Sequence, residues 1–183
     1  GVLVGYEATY NRPPVSIPVE FVDWPFTRDD WDFDDLREEH LSTVYAEEPR
    51  YAVAPDVMGD FTLDDALEYA KTLEARADTV IIVPKDVHPS EVPDQYRVGM
   101  PCQDRFDDPP WDAEDFQSCE EVHLLGGSPN VHKDVLGVLD NVYSIDSATP
   151  IRCARFGDYW CDGKWENGDL GFTRSLETSL ENI

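Results

Sequence analysis

The chain has 183 residues, a length that suits one domain. Hydrophobic residues make up 41% and aromatics 11%, enough for a packed core, which excludes global disorder. Lys and Arg number 14 against 39 Asp and Glu, for a net charge of −25, and no apolar run approaches the roughly 18 residues of a membrane helix.

Apolar runs predict seven strands, at residues 2–5, 19–23, 51–56, 79–83, 96–99, 122–126 and 142–146. Near-continuous β-branched runs of this kind read as strands buried on both faces, as in parallel sheets. A helix is predicted over residues 33–48, with Leu36, His40 and Val44 at helical spacing and Asp30 or Asp32 as cap. Thr62 caps a second helix that runs through Ala75, with Asp64 and Asp65 in its first turn. Residues 101–119, which hold Pro109-Pro110, read as a loop followed by one helical turn. Pro129 opens a third helix over 130–139. The final residues, 168–183, end in a helix that carries Leu176 and Leu180 four apart.

Strand–helix alternation defines an α/β fold of one domain over residues 1–183. A TIM-like (β/α) barrel of parallel strands, closed or incomplete, fits best. A doubly wound open sheet is the alternative, but no G-x-G-x-x-G follows the first strand. The opening residues 1–5 carry neither a basic leader nor a cleavage site, so no signal peptide is expected. Cys102, Cys119, Cys153 and Cys161 lack paired spacing, and free thiols without a metal or cofactor are expected.

The charge has two readings. The acids are spread along the chain, and Lys71, Lys85, Lys133 and Lys164 are the only lysines. That spread favours adaptation to a high-salt cytosol, where screening is short-ranged, over an acidic mimic of DNA. In dilute buffer such a charge argues against binding nucleic acid, but in molar salt the argument loses its force.

Parallel α/β proteins bind ligands at the carboxyl ends of their strands. Three apolar runs end there in an acid: Asp23, Asp56 and Asp146. Singly, each could cap the helix that follows; together they point to a shared pocket. Gly126-Gly127-Ser128-Pro129 reads as a tight turn into a helix, with a phosphate cradle disfavoured by the lack of a neighbouring Lys or Arg. His40, His88, His123 and His132 read as structural or surface residues. The tryptophans at 24, 31, 111, 160 and 165 read as core before base-stacking platforms.

The stretch Ser144-Ile145-Asp146-Ser147-Ala148-Thr149-Pro150-Ile151-Arg152-Cys153-Ala154-Arg155-Phe156-Gly157 resembles a segment of the tRNA-guanine transglycosylases. In that family Phe-Asp-Cys/Ser is followed by Pro, then Thr-Arg, a second Arg and Gly. His123-Leu124-Leu125-Gly126-Gly127-Ser128-Pro129, one helix earlier, is similar to the family's strand of the type Leu-Leu/Met-Gly-x-Gly-x-Pro. Val53-Ala54-Pro55-Asp56-Val57-Met58 is similar to its strand that ends in a base-recognising Asp.

The resemblance implies a barrel enzyme of the queuine or archaeosine type that exchanges guanine in DNA or tRNA for a free 7-deazaguanine. On that basis Asp146 is the nucleophile, and Asp23 is the second active-site carboxylate by position alone. Asp56 reads the base, Gly99, Met100, Gly126 and Gly127 line its pocket, and Arg152 and Arg155 hold backbone phosphates. The chain is short for that family, lacks its zinc-binding cysteines, and has Pro84-Lys85 where a base-contacting Gln is expected. A minimal DNA-modifying relative from a haloarchaeon or its virus fits these features, in a high-salt cytoplasm, with homodimerisation left open. Two other readings stand beside it: a nucleobase-binding or N-glycosidase barrel without exchange, and an acidic interaction protein without catalysis.

Overall fold

The computed structural model describes residues 5–9, 18–26, 32–102 and 111–182. The predicted strand residues 2–4, Asp30, Trp31 and Pro109-Pro110 lie outside these. The protein is a mixed α/β structure with seven parallel strands in one sheet, ordered as they occur in the chain, and a separate two-stranded hairpin. It divides into two compact units, Gly1–Val98 and Gly99–Ile183.

The first unit holds β1 (Gly5–Glu7), β2 (Phe21–Asp23), α1 (Phe33–Glu47), β3 (Tyr51–Val53), α2 (Leu63–Leu73) and β4 (Thr79–Ile82). It also holds the start of β5 (Arg97–Pro101). Tyr51, Ala52 and Val53 pair in parallel with Thr79, Val80 and Ile81. Apart from half-buried Thr79, their β-branched side chains are buried; Val53, Ile81 and Ile82 are fully inaccessible. A buried side chain of this size stabilises by roughly 1.5–3 kcal/mol relative to exposure, so this pair of strands anchors the unit.

Both helices begin where their caps require. The Asp32 carboxylate accepts the Asp34 N–H at the start of α1. At α2 the Thr62 hydroxyl accepts the Asp65 N–H while Asp65 accepts the Thr62 N–H, a reciprocal capping box that satisfies two otherwise orphaned donors. Ala66, Ala70 and Leu73 then give α2 one fully buried stripe. On α1 the buried positions are His40, Thr43 and Val44. His40 Nδ1 lies 2.8 Å from the Tyr69 hydroxyl, and the indole of Trp24 meets both rings edge-on.

The second unit holds β6 (Val122–Leu125), α3 (Pro129–Leu136), β7 (Val142–Ile145), α4 (Thr149–Ala154), the hairpin strands β8 (Asp158–Cys161) and β9 (Lys164–Asn167), and α5 (Phe172–Glu181). The helical turn expected after the 101–119 loop falls within it, as a 3-10 turn at Ala113–Phe116. The hairpin and α4 add to the elements that the apolar and helical patterns predict. Asp162 and Gly163 turn the hairpin with φ of 51° and 79°, a left-handed pair that an Asp-Gly loop supplies at low cost. In α5 the buried side chains are Ser175 and Ser179, while Leu180 is exposed. The cause is a hydrogen bond: the Ser179 hydroxyl accepts the Trp160 N–H of β8 and donates to the Ser175 carbonyl. Among the described residues no helix is long and apolar enough to cross a membrane.

Candidate functional site

The three strand-end acids do not cap the helices that follow them. Asp23 accepts the N–H of its neighbour Trp24, and α1 is capped by Asp32 instead. Asp56 is bound to Lys85, and α2 is capped by Thr62. Asp146 accepts the Gly126 N–H at 2.9 Å, while the first turn of α4 is served by Ser147, whose hydroxyl accepts the Thr149 N–H. Each carboxylate is therefore committed to something other than helix capping.

In the second unit, adjacent parallel strands bring the side chains around Asp146 together. β6 and β7 pair with His123 opposite Ser144, across a register shift between Val122 and His123. His123 Nδ1 sits 2.7 Å from the Ser144 hydroxyl, and Nε2 sits 3.2 Å from Asp146 Oδ1. A carboxylate oxygen accepts, so Nε2–H donates to Asp146, and Nδ1 faces the Ser144 hydroxyl. Asp146 Oδ1 thus holds two donors, the imidazole and the Gly126 amide. Oδ2 has no hydrogen bond among the described residues, and the side chain is 33% exposed. The result is a carboxylate fixed by one oxygen and open at the other.

The turn that supplies the Gly126 amide is built to hold its shape. Gly126 and Gly127 take φ of 65° and 82°, a region that residues with a Cβ rarely adopt. A Cβ on Gly127 would stand 2.8 Å from the Cys102 side chain. The Gly127 carbonyl accepts from the hydroxyls of Ser147 and Thr149, and the Gly126 carbonyl accepts His132 Nε2–H at 2.5 Å. Burial lowers the His132 pKa, so that ring is held neutral. Burial, with the Asp146 charge adding to it, pushes the Cys102 thiol up to about 12. Cys102 therefore packs as a thiol and is no nucleophile at neutral pH.

Gly99 and Met100 lie in β5, both buried. Arg152 lies in α4 and Arg155 at its C-cap, both exposed, with Arg152 donating to the Thr149 hydroxyl at 3.3 Å. In the second unit, then, Asp146, Gly126 and Gly127 share one hydrogen-bonded cluster, to which Arg152 is joined through Thr149. His123 and His132 belong to the same cluster, although their spacing in the chain gave no sign of it. The available signal was a lone imidazole inside an apolar strand run.

In the first unit, Asp56 and Lys85 form an ion pair at 2.9 Å, each side chain only 8% exposed. Burial raises the Asp56 pKa and the Lys85 ammonium opposes that rise. Asp23 is half-buried at the end of β2. The four cysteines are free, and among the described residues no group of three or more His, Cys, Asp or Glu side chains could hold a metal ion.

Fold and site together define an α/β protein with a parallel sheet and constrained carboxylates at its strand ends. The chain belongs to a family of unknown function, DUF6610, whose pattern it matches over residues 1–183. No curated protein and no solved structure matches it.

Proposed function

We propose that this protein is a base-exchange glycosyltransferase of the guanine-transglycosylase type, built on an incomplete TIM-like (β/α) barrel. Its substrates are a guanine nucleotide in DNA or tRNA and a free 7-deazaguanine, and it works in a high-salt cytoplasm. The observation that supports this reading is the Asp146 carboxylate, held through Oδ1 by Gly126 and His123 with Oδ2 open.

In the first half-reaction Oδ2 attacks the anomeric carbon of the target nucleotide, through a state with oxocarbenium character. The C–N bond to guanine breaks, its electron pair leaves with the base, and the base takes a proton from water. A glycosyl ester on Asp146 remains. In the second half-reaction the incoming base gives up its N9 proton to water, N9 attacks the same carbon, and the carboxylate leaves. The two donors on Oδ1 favour that departure because they stabilise the charge that returns to Asp146. Asp56 reads the base edge, Arg152 and Arg155 hold phosphates, and Gly99 and Met100 line the base pocket. The target nucleotide has to be single-stranded or flipped out of its stack to be reached.

The test is incubation with labelled guanine and either DNA or tRNA in molar salt, with label counted in the nucleic acid. Exchange is expected with one of the two substrates. Asp146→Asn should lower it by at least about a thousandfold, since the amide cannot form the ester. Binding of nucleic acid with no exchange on either substrate overturns the catalytic reading and leaves a base-binding protein. No binding and no exchange leaves an acidic interaction protein.

A further inference from the structure

Within the first unit, aromatic rings extend from the core to the surface. Trp24 packs against Phe33 with ring centroids 5.4 Å apart, and it meets His40 and Tyr69 edge-on. Phe33 in turn touches Phe61, 5.3 Å away between centroids. Tyr69 is buried, and its hydroxyl lies 2.8 Å from His40 Nδ1. Phe33, at the start of α1, nevertheless leaves 42% of its surface exposed. Together with Phe61 and Tyr69 it lines a cavity of about 320 Å³. Ligand sites run from roughly 300 to 1,000 Å³, so this one has room only for a small molecule.

The charged part of the lining consists of three carboxylates, from Asp60, Asp65 and Glu68, and one guanidinium, from Arg37. Asp65 is engaged by the Thr62 N–H and hydroxyl in the cap of α2. The side chains of Asp60 and Glu68 make no hydrogen bond or ion pair among the described residues. Arg37 pairs with none of these acids; its guanidinium stands 5.7 Å from the centroid of the Tyr69 ring. A cation of the chain itself therefore already rests on this aromatic surface, as the negative face of a ring favours. Phe33 and Phe61 are inclined at 45°, so they offer no parallel slot for a flat ring system. Tilted faces suit a rounded group instead.

We propose that this cavity binds a small, free quaternary ammonium cation of the choline type. The methyl groups pack on Phe33, Phe61 and Tyr69, the ring faces and the carboxylates of Asp60 and Glu68 attract the charge, and Arg37 leaves the Tyr69 ring to admit it. The aromatic faces supply the selectivity. In molar salt the screening length falls to roughly 3 Å, and potassium competes for the carboxylates on equal terms. A methylated cation differs from potassium in burying apolar surface against the rings while keeping its charge over them. The site uses none of the residues around Asp146 and stands apart from the base-exchange reading.

The experiment is calorimetric titration of the full chain, in molar potassium chloride, with three probes. They are choline, the neutral alcohol in which a tert-butyl group replaces the trimethylammonium, and a peptide that carries trimethyl-lysine. Choline is expected to bind at least about fivefold more tightly than its neutral analogue, which has the same shape without the charge. Phe33→Leu keeps an apolar side chain but removes a ring face, and should weaken choline at least about threefold. Arg37→Met removes the competing cation and should tighten choline at least about threefold, a change that a purely structural role for Arg37 would not produce. Where Phe33→Leu does not fold, the wild-type comparison and Arg37→Met decide. The proposal is overturned by a wild type that binds no choline or binds the neutral analogue equally well. It is overturned equally by a folded Phe33→Leu with unchanged affinity, or by Arg37→Met that binds no more tightly. A peptide bound more tightly than choline overturns the assignment to a small free cation.

Discussion

His123 and Asp146 meet across neighbouring strands, with Nε2 of one 3.2 Å from Oδ1 of the other although they stand 23 positions apart in the chain. The imidazole is almost fully buried, the carboxylate is one-third exposed, and the Ser144 hydroxyl meets the opposite side of the ring at 2.7 Å. Replacing His123 with Phe removes a donor from Asp146 and strips Ser144 of its contact with the ring. A loss of about 1–3 kcal/mol in stability is expected, measured by urea unfolding in high salt. His123→Gln, which retains an N–H near the Nε2 position, should recover part of it. On the base-exchange reading the Phe variant should also lose turnover without a matching rise in KM for the nucleic acid.

Gly127 is the position at which a single methyl should do most harm. Its φ of 82° disfavours any Cβ, and the new atom would stand 2.8 Å from both Cβ and the carbonyl oxygen of Cys102. Gly127→Ala should cost at least about 2 kcal/mol, since strain and overpacking add. Gly59, with φ of 58° and open space around it, is the control. Gly59→Ala should cost about 1 kcal/mol, from backbone strain alone. Equal losses in the two unfolding curves would contradict the packing described for the Gly126-Gly127 turn.

The Asp56–Lys85 pair should show strong non-additivity. Lys85→Met leaves a buried carboxylate uncompensated, at a cost of about 3–5 kcal/mol, while adding Asp56→Leu should restore most of it. The pH dependence has a defined sign. Burial holds the Asp56 carboxyl above its ordinary range in the folded state, so over that interval the folded protein binds more protons than the unfolded one. For this group, stability falls as pH rises through the interval. Without the Lys85 charge the carboxyl is driven higher still, so the deficit of Lys85→Met should widen between pH 5 and pH 7. Denaturant midpoints at the two pH values measure it.

His40 gives the opposite slope. Its ring is fully buried against Trp24 and Tyr69, and burial lowers its pKa from 6.5 to about 3. Between those values the unfolded chain takes a proton that the folded chain refuses. The contribution is fully present above 6.5 and declines by up to about 1.4 kcal/mol per pH unit on acidification. His40→Leu should flatten this part of the acid limb in denaturant midpoints followed from pH 7 to pH 4.

Where local chemistry decides structure, the sequence was readable. Thr62 with Asp65, and Asp32 ahead of α1, mark helix starts through bonds made within three residues. The strand runs were visible too, but they overran the ladders. Ala54 and Val57, for instance, are buried beyond the end of β3 while their N–H groups still bond the next segment, to Ile81 and Val83. The β8–β9 hairpin carries no apolar run: its strands, Asp158–Cys161 and Lys164–Asn167, mix aromatic and charged residues. Its Asp162-Gly163 turn was nevertheless a usable signal. The serine face of α5 was hidden because a hydrogen bond to the Trp160 amide, rather than hydrophobicity, decides which side is buried. Of the candidate site, Asp146 and the two glycines could be picked out by their place at strand ends. Their partners could not: His123, His132 and Lys85 acquire meaning only from contacts across strands and turns.

Sheet neighbours in this protein are also neighbours along the chain, from β1 through β7. No strand has to wait for a later segment to be slotted in beside it. Each newly synthesised strand can settle against the one before it while translation is still under way, so the sheet can grow in one direction from its amino-terminal edge.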